Sequence, residues 1–597
     1  MESIKTDTGS KGSKSSNGTG EKILLAMLPF NDPQIPPLGI ANLKSFLLQH
    51  GCDVVTADAN VEIEFREIYD AYFNAVSKEI PPDRMGNFNS MKLDILQNHM
   101  TAYLHYRERL VSPVYQNLAG LVCQKKDEYT ELIKILIRQT FFQDVPDPLI
   151  QELDDILAVF YQRLETYYLH LLRETQPAVV GLSVCIGMMA PSLFAFKLTK
   201  ELYPHIRTVM GGGIYADDLA LNSSNLRYFA EQTPYIDKLI VGEGEVLLLK
   251  YLKGELPSAQ KIFSMNDIKG ESLDLSTRSM PDFSDFHLDR YPFMSANASV
   301  GCPFNCTFCT IPVQWGKYRQ KSPQQVAAEL INLYRKYGSQ LFLLVDSLLN
   351  PLITDLAREF IESGVCIYWD GSLRVSPAVC NSDNTLLWRR GGFYRAHLGI
   401  ETGSQRILDA MDKRITLDQI KTALSTLAGA GIKTTTFWVV GYPGETEDDF
   451  LQSLKLAEEL KDDIYETTIR PYLYYEMKQE YFHDGLVSHK NIPLYPAYAR
   501  EKLLVESLIM DSEPSREETV RRLNRFDQHI RELGIPNPYS LFELNQADQR
   551  WQELHQNAVP PVIRFKDTQN YINECRTVEK IFRLQNKLAD DDGLFGF

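Results

Sequence analysis

Met294-Ser-Ala-Asn-Ala-Ser-Val300-Gly-Cys-Pro-Phe-Asn-Cys-Thr-Phe-Cys-Thr310 is the stretch from which the rest of the chain can be read. A run of small and apolar residues, predicted as a strand, stops at a glycine. Cys302, Cys306 and Cys309 follow, spaced C-x3-C-x2-C, with no fourth cysteine at motif distance. Three thiolates on a four-iron cluster leave one iron open to bind a substrate. A closed four-thiolate site mostly carries electrons or holds structure. A zinc knuckle completed by a distant fourth ligand is the competing reading of three compact cysteines.

Downstream of this first strand, the pattern predicts strands at Leu341–Asp346, Cys366–Ser372, Ala396–Glu401, Lys433–Val440 and Thr467–Tyr474, most of them separated by helical segments. Such a β/α series implies a partial parallel barrel of the (β/α)6 TIM-like kind, with chemistry gathered at the carboxyl ends of its strands. The three cysteines fall just after the first strand, and Asp346, Glu401 and Gly441 fall at the ends of later ones.

Upstream lies a second α/β unit. Ile23–Phe30 is a continuous apolar run, as expected of a buried parallel strand. Pro36-Pro-Leu-Gly39, a helix through Leu43–Leu48 and a strand at Asp53–Ala57 follow. From 61 to 175 the pattern is helical. Leu153, Ile156, Leu157, Phe160, Leu164 and Tyr167 form one stripe behind an Asp147-Pro148 start. This stretch reads as a helical insertion into the sheet domain. Strands resume at Val179–Val184, Thr208–Met210 and Lys238–Val241, with a helix at Ser192–Leu202. Two glycine turns, Gly211-Gly-Gly213 and Gly242-Glu-Gly-Glu245, come at carboxyl strand ends, where open α/β sheets bind ligands. Taken alone, Gly211–Gly213 reads equally well as a tight turn without a ligand.

The expected division is a disordered leader at 1–21 and a Rossmann-like domain at 22–265 carrying the insertion at 61–175. A linker at 266–291, a barrel at 292–475 and a helical C-terminal region at 476–597 follow, the last with a capping box at Ser515-x-x-Glu518. At 597 residues the chain exceeds what one core usually holds, roughly 250–300 residues. A net charge of −16 argues against a general nucleic-acid binder. The sequence contains no apolar run long enough to span a membrane. Nine cysteines, only three of them clustered, fit a reducing cytoplasm better than a disulfide framework. Cys52, Cys123, Cys185, Cys366, Cys380 and Cys575 read as small buried hydrophobes.

The cysteine loop at a strand end resembles the radical S-adenosylmethionine (SAM) superfamily, over roughly residues 292–475. Phe308 matches the aromatic that precedes the third cysteine. His397-Leu-Gly-Ile-Glu-Thr-Gly-Ser-Gln405 resembles the family's strand end near the ribose, and Val440-Gly-Tyr-Pro-Gly-Glu-Thr-Glu447 its turn after the fifth strand. The resemblance implies that Cys302, Cys306 and Cys309 hold a [4Fe–4S] cluster whose fourth iron is chelated by SAM. Phe308, Asp346, Ser372, Arg374, Glu401 and Gly441 become candidate SAM contacts. Ser347 departs from the second acidic residue more often found after Asp346. For Arg374 the alternative is a surface ion pair, and Lys413 is expected to cap a helix.

The amino-terminal domain resembles the cobalamin (B12)-binding domain that precedes the barrel in one large subfamily. The resemblance rests on Pro36-Pro37-Leu38-Gly39, Ser183, Gly211, Gly212, Gly213, Gly242, Glu243, Gly244 and Glu245. No intact D-x-H-x-x-G motif is present. Asp285-Phe-His287 comes nearest, with Arg290 in the glycine position. At the sixth strand, Arg470-Pro-Tyr-Leu-Tyr-Tyr475 runs on into Glu476 and Met477, where relatives often turn.

Together these resemblances imply a cobalamin-dependent radical SAM methyltransferase in the cytoplasm. It would methylate an unactivated carbon of a natural product, peptide or lipid through a 5′-deoxyadenosyl radical and methylcobalamin. A flavodoxin or ferredoxin would supply electrons, and neither nucleic acid nor a membrane span is expected. The alternatives are a rearrangement or oxidative cyclisation, with cobalamin bound but no methyl transferred, and an amino-terminal domain that serves as a substrate-binding module.

Overall fold

The computed structural model describes residues 21–31, 33–80, 89–111, 119–216, 219–269, 271, 273–474, 490–536 and 541–555. Residues 1–20 of the expected leader 1–21, Tyr475, Glu476, Met477 and Cys575 lie outside them, as does the side chain of Cys123, whereas Glu21 is placed and pairs with Arg207.

Two six-stranded parallel sheets carry the fold. The first contains β1 (Lys22–Met27), β2 (Asp53–Asp58), β3 (Val179–Ser183), β4 (Arg207–Gly211), β5 (Lys238–Val241) and β6 (Ile262–Ser264), in the order β2-β1-β3-β4-β5-β6. Along β1, Ile23 and Leu25 point to one core while Leu24 and Ala26 point to the other. A strand buried on both faces explains the unbroken apolar run. The order reverses between β1 and β3, which is where ligands lodge in open α/β sheets.

The insertion between β2 and β3 forms helices Ile63–Ser77, Asn89–Val111, Ala119–Phe141 and Asp147–Thr175. The last begins with Pro148 in its first turn and ends at Gln176 in the left-handed region (φ 44°). Its stripe of Leu153, Leu157, Phe160 and Leu164 packs in one core with Leu24, Ala26, Val180 and Leu182 of the sheet. Most of this insertion therefore acts as the cover of one sheet face.

The linker contains three short 3-10 turns, Met265–Ile268, Leu275–Thr277 and Leu288–Arg290. It is fastened to the first sheet. Asp285 accepts from the backbone N–H of Thr56 (2.8 Å) and pairs with Lys44 (2.7 Å), and Tyr291 donates to Asp58 (2.8 Å). Asp285, the start of the incomplete ligand motif, thus has a structural task. Phe283 and Phe286 belong to a core that runs from Ile40 and Leu47 in helix Leu38–Gln49 to Phe342 and Trp369 in the second sheet.

The second sheet contains β7 (Met294–Ala296), β10 (Leu341–Leu344), β11 (Tyr368–Leu373), β12 (Phe393–Glu401), β13 (Lys433–Val440) and β14 (Glu466–Pro471). They lie side by side in chain order, with β7 and β14 at the open edges. This is the arrangement of a half-closed parallel barrel. The expected single strand Met294–Val300 is broken. Beyond β7, β8 (Ser299–Val300) turns away to pair antiparallel with β9 (Arg319–Gln320), so the cysteine loop is closed by its own small hairpin.

Other departures are local. Helix Leu38–Gln49 starts five residues before the expected Leu43, directly after Pro37 as N-cap. Strand β6 was not anticipated, because Ile262–Ser264 is too short to show a period. The region after 489 holds helices Ala499–Leu503, Arg516–Glu532 and Leu541–Leu554. It also holds an antiparallel hairpin of β15 (Lys490–Pro493) and β16 (Leu508–Asp511). Ser515 caps Glu518 N–H, but Glu518 pairs with Arg521 and Arg522 rather than completing a capping box. Of the scattered cysteines, Cys52 is buried as expected whereas Cys366 is exposed.

Candidate functional site

The cysteine loop leaves β8 through Gly301, whose φ of 83° and close approach to the backbone of Gly316 and Lys317 suit glycine. Cys306 is buried, and Cys302 and Cys309 are half-buried. None of the three is in a disulfide. The loop is pinned from the far side of the barrel: Thr307 N–H donates to Met411 O (3.1 Å), and the Thr307 and Tyr442 hydroxyls lie 2.8 Å apart. Burial raises the Cys302 thiol pKa. The neighbouring Cys306 raises it further, while the Phe304 N–H, Arg374 and Lys413 pull it down.

Among the described residues no three His, Cys, Asp or Glu side chains converge on a single ion. Two cations complete the donor set. Arg374 Nη1 lies 3.5 Å from Cys306 Sγ, and its guanidinium covers the Phe304 ring at 4.1 Å. Lys413 Nζ stands 5.6 Å from the centre of the Phe308 ring.

The structure places the other expected SAM residues as follows. Glu401 ends β12 with φ 68°, an unusual left-handed setting for a non-glycine residue. Its buried carboxylate pairs with Lys413. Lys413 is therefore no helix cap. It is drawn inward by a charge that must be compensated once buried. A Cβ on Gly399 would stand 2.7 Å from Lys413 Nζ, so only glycine leaves room for this pair. Gly441 (φ 80°) donates its N–H to Glu445 (2.9 Å). Burial lifts the Glu445 carboxyl to about 7, against the pull of that N–H and of Arg522. Arg522, on helix Arg516–Glu532, pairs with Glu445 at 3.0 Å.

Ser372 sits half-buried beside His397 in the β11–β12 ladder. Asp346 turns to the chain entering the cysteine loop, accepting from Ala298 N–H (3.0 Å) and from the N–H and hydroxyl of Ser299. Burial pushes its carboxyl up to about 6 in spite of these bonds.

On the first sheet, Ser183, Gly211 and Gly242 end or follow the neighbouring strands β3, β4 and β5, and Pro37–Gly39 open the helix after β1. A Cβ on Gly39 would meet nothing within 4 Å, whereas one on Gly212 (φ 111°) would overlap Val184. Gly212 thus serves packing, while Gly39 is exposed at the start of its helix. Glu243 and Glu245 are engaged elsewhere, by Arg319 of β9 and Arg278 of the linker respectively. The loop after β1 touches the second sheet: Ser295 on its edge strand β7 donates to Pro36 O (2.8 Å).

Sequence reasoning missed Asn350, Phe304, Thr307, Thr519 and Arg522. Phe304 and Thr307 fill variable positions between the cysteines and the others belong to no spaced motif, so each is defined by what folding brings beside it. It also missed the buried charge layer across the barrel. There Arg395 bridges Asp370 (2.6 Å) and Glu466 (3.4 Å), and His397 stands 3.4 Å from Asp370. The Arg395 guanidinium and His397 beside it hold the Asp370 carboxyl below its usual range against the effect of burial. Polar residues alternating with apolar ones along β11 and β12 were the available signal.

The profile of the radical SAM superfamily matches residues 297–457. An uncharacterized methyltransferase of Pyrococcus horikoshii is 27% identical over 327 residues, covering 50% of this chain and 68% of its own length. An anaerobic magnesium-protoporphyrin IX monomethyl ester cyclase of Rubrivivax gelatinosus is 25% identical over 321 residues, covering 48% of this chain and 55% of its own length. The chain thus spans about half to two thirds of these relatives. Among solved structures, the radical SAM methyltransferase TsrM of Kitasatospora setae, with tryptophan substrate and a SAM analogue bound, aligns with TM-score 0.56 at 14% identity. That alignment covers 93% of this chain and 100% of that one, and it shows a shared fold. Residues 297–457 of the chain thus carry a radical SAM domain, and a six-stranded parallel sheet domain precedes it in a fold shared with TsrM.

Proposed function

We propose that this enzyme is a cobalamin-dependent radical SAM methyltransferase acting on an unactivated carbon of a natural-product, peptide or lipid substrate. The observation that carries the proposal is the junction of the loop after β1 with the second sheet. That loop, at the β1/β3 switch point, is bonded through Pro36 to β7, the strand that leads into the cysteine loop. Hydrogen abstraction and methyl donation must reach one substrate carbon, and this junction would bring both cofactor sites to one pocket.

Bound together, the cluster, SAM and cobalamin supply the radical and the methyl group. The protein's own residues hold and orient. Cys302, Cys306 and Cys309 are the cluster ligands in this reading. Arg374 offers a buried Nη2 without a hydrogen-bond partner to the SAM carboxylate. Phe308, Ser372, Glu401 and Gly441 shape the rest of the SAM site, and Asp346 holds the loop entrance. Pro37, Leu38, Gly39, Ser183, Gly211, Gly213, Gly242 and Gly244 line the cobalamin edge. Gly212, Glu243 and Glu245 keep its turns in place. The domain division proposed is 22–265, 266–291, 292–475 and 476–597, with the insertion at 61–175. A flavodoxin or ferredoxin is the proposed electron donor.

The second reading, a cyclisation or rearrangement without methyl transfer, is supported by the cyclase name of the Rubrivivax relative. The test is anaerobic purification with cobalamin supplied. Corrin absorption together with iron–sulfur absorption is expected. Iron–sulfur absorption with no corrin would reject the methylcobalamin route. Product mass then separates the two chemistries, since a methyl transfer adds about 14 Da and a rearrangement adds none.

A further inference from the structure

Arg374 follows β11 and is held on three sides. Its N–H donates to Asn350 Oδ1 and its carbonyl accepts from Asn350 Nδ2, both at 2.8 Å. Its guanidinium lies over Phe304, which stands between the first two cysteines. Its Nη1 reaches Cys306 Sγ at 3.5 Å. Of the other cations near the loop, Lys413 is already paired with Glu401 and Arg414 with Asp412. Among the described residues, Arg374 has no carboxylate at ion-pairing distance, so its charge is directed at the sulfur.

We propose that Arg374 is a positioning residue that tunes the cluster, donating to the Cys306 thiolate and favouring the reduced state. The proposal rests on the assignment of the three cysteines as cluster ligands. Three thiolates around an oxidised four-iron core of charge 2+ sum to −1, and one added electron makes −2. Cluster potentials follow net charge, hydrogen bonds to the sulfurs and solvent exposure. A guanidinium fixed against one sulfur at a half-buried site is screened less than a surface charge, and it stabilises the more negative state more. Asn350 matters because it fixes the backbone from which the guanidinium reaches across. An arginine on an untethered loop would spread its charge over many positions.

The test is a reductive titration of the full-length reconstituted protein, followed by electron paramagnetic resonance without SAM, so that any loss of SAM binding does not enter. Arg374→Gln should keep the iron and sulfide content of the wild type. Its ratio of reduced to oxidised cluster at a fixed potential should fall about tenfold, equal to a midpoint lower by about 59 mV for one electron. Arg374→Lys, which keeps the charge, should fall less. A fully loaded Arg374→Gln protein with the wild-type midpoint overturns the proposal. If Arg374→Gln fails to load, Asn350→Ala is titrated instead: a lowered midpoint supports the proposal and an unchanged one overturns it. A wild-type protein that assembles no cluster would reject the site itself, a different outcome from a loaded protein indifferent to Arg374.

Discussion

Replacing Gly441 by alanine tests how helix Arg516–Glu532 braces the turn after β13. Gly441 has φ 80°, and a Cβ there would stand 2.9 Å from Thr519 Cβ and closer still to its Oγ1 and Cγ2. Two costs add. Placing alanine in the left-handed region costs about 1–2 kcal/mol. Forcing a methyl into filled space costs about 1–3 kcal/mol. The single variant should therefore lose about 2–5 kcal/mol. Only the second part can be relieved from the other side. Thr519→Ala removes Oγ1 and Cγ2 while keeping the helix, so a double-mutant cycle should return a favourable coupling of about 1–2 kcal/mol. Urea unfolding followed by tryptophan fluorescence is a suitable assay, because Trp438 of β13 packs 5.2 Å from Phe526 on the same helix. Additivity of the two substitutions within about 0.5 kcal/mol would mean that the helix does not contact the turn, and the brace would be refuted.

Other expectations follow from the same geometry. Cys306→Ala should lose bound iron and SAM cleavage; retained cleavage would reject the cluster assignment. Lys413→Ala leaves the buried Glu401 carboxylate unpaired and should cost about 3–5 kcal/mol, most of it regained in Lys413→Met/Glu401→Gln. A midpoint in urea unchanged by the single substitution would show that the pair is not buried as described. Asp346, with a folded-state pKa raised to about 6 from 3.8, ionises more readily unfolded than folded. Its contribution is therefore present below pH 3.8 and lost as pH rises through 6, by about 3 kcal/mol at one pKa unit per 1.36 kcal/mol. Relative to Asp346→Asn, the wild type should lose that stability between pH 4 and 6, and parallel pH curves for the two would disprove it.

The strand series was legible because buried parallel strands read as apolar runs, and β5 and β13 were read to the residue. The cysteine loop was legible because Cys302, Cys306 and Cys309 lie close together in sequence. What escaped were features made by distance in the chain. Lys413 looked like a helix cap, since nothing nearby in sequence shows that Glu401 is buried against it. Glu243 and Glu245 looked like ligand-turn residues, yet arginines 76 and 33 residues away claim them. The break between β7 and β8 was hidden because Asn297 and Ala298 suit a strand as well as they suit the turn that separates the two pairings. The Ser515–Glu518 signature was half right: the cap formed, and the acid found arginines one turn on.

The core shared through Phe283 and Phe286 bears on how such a protein can be inherited and re-engineered. A linker whose aromatic side chains are packed from both sides is a seam, and its two halves must be changed together. A barrel transplanted from a relative would arrive without the surface that Ile40 and Leu47 present to it. Either half expressed alone would carry that surface bare to water. Recombination should therefore favour exchanges that carry the seam and both of its sheets together, with the helices that cover them.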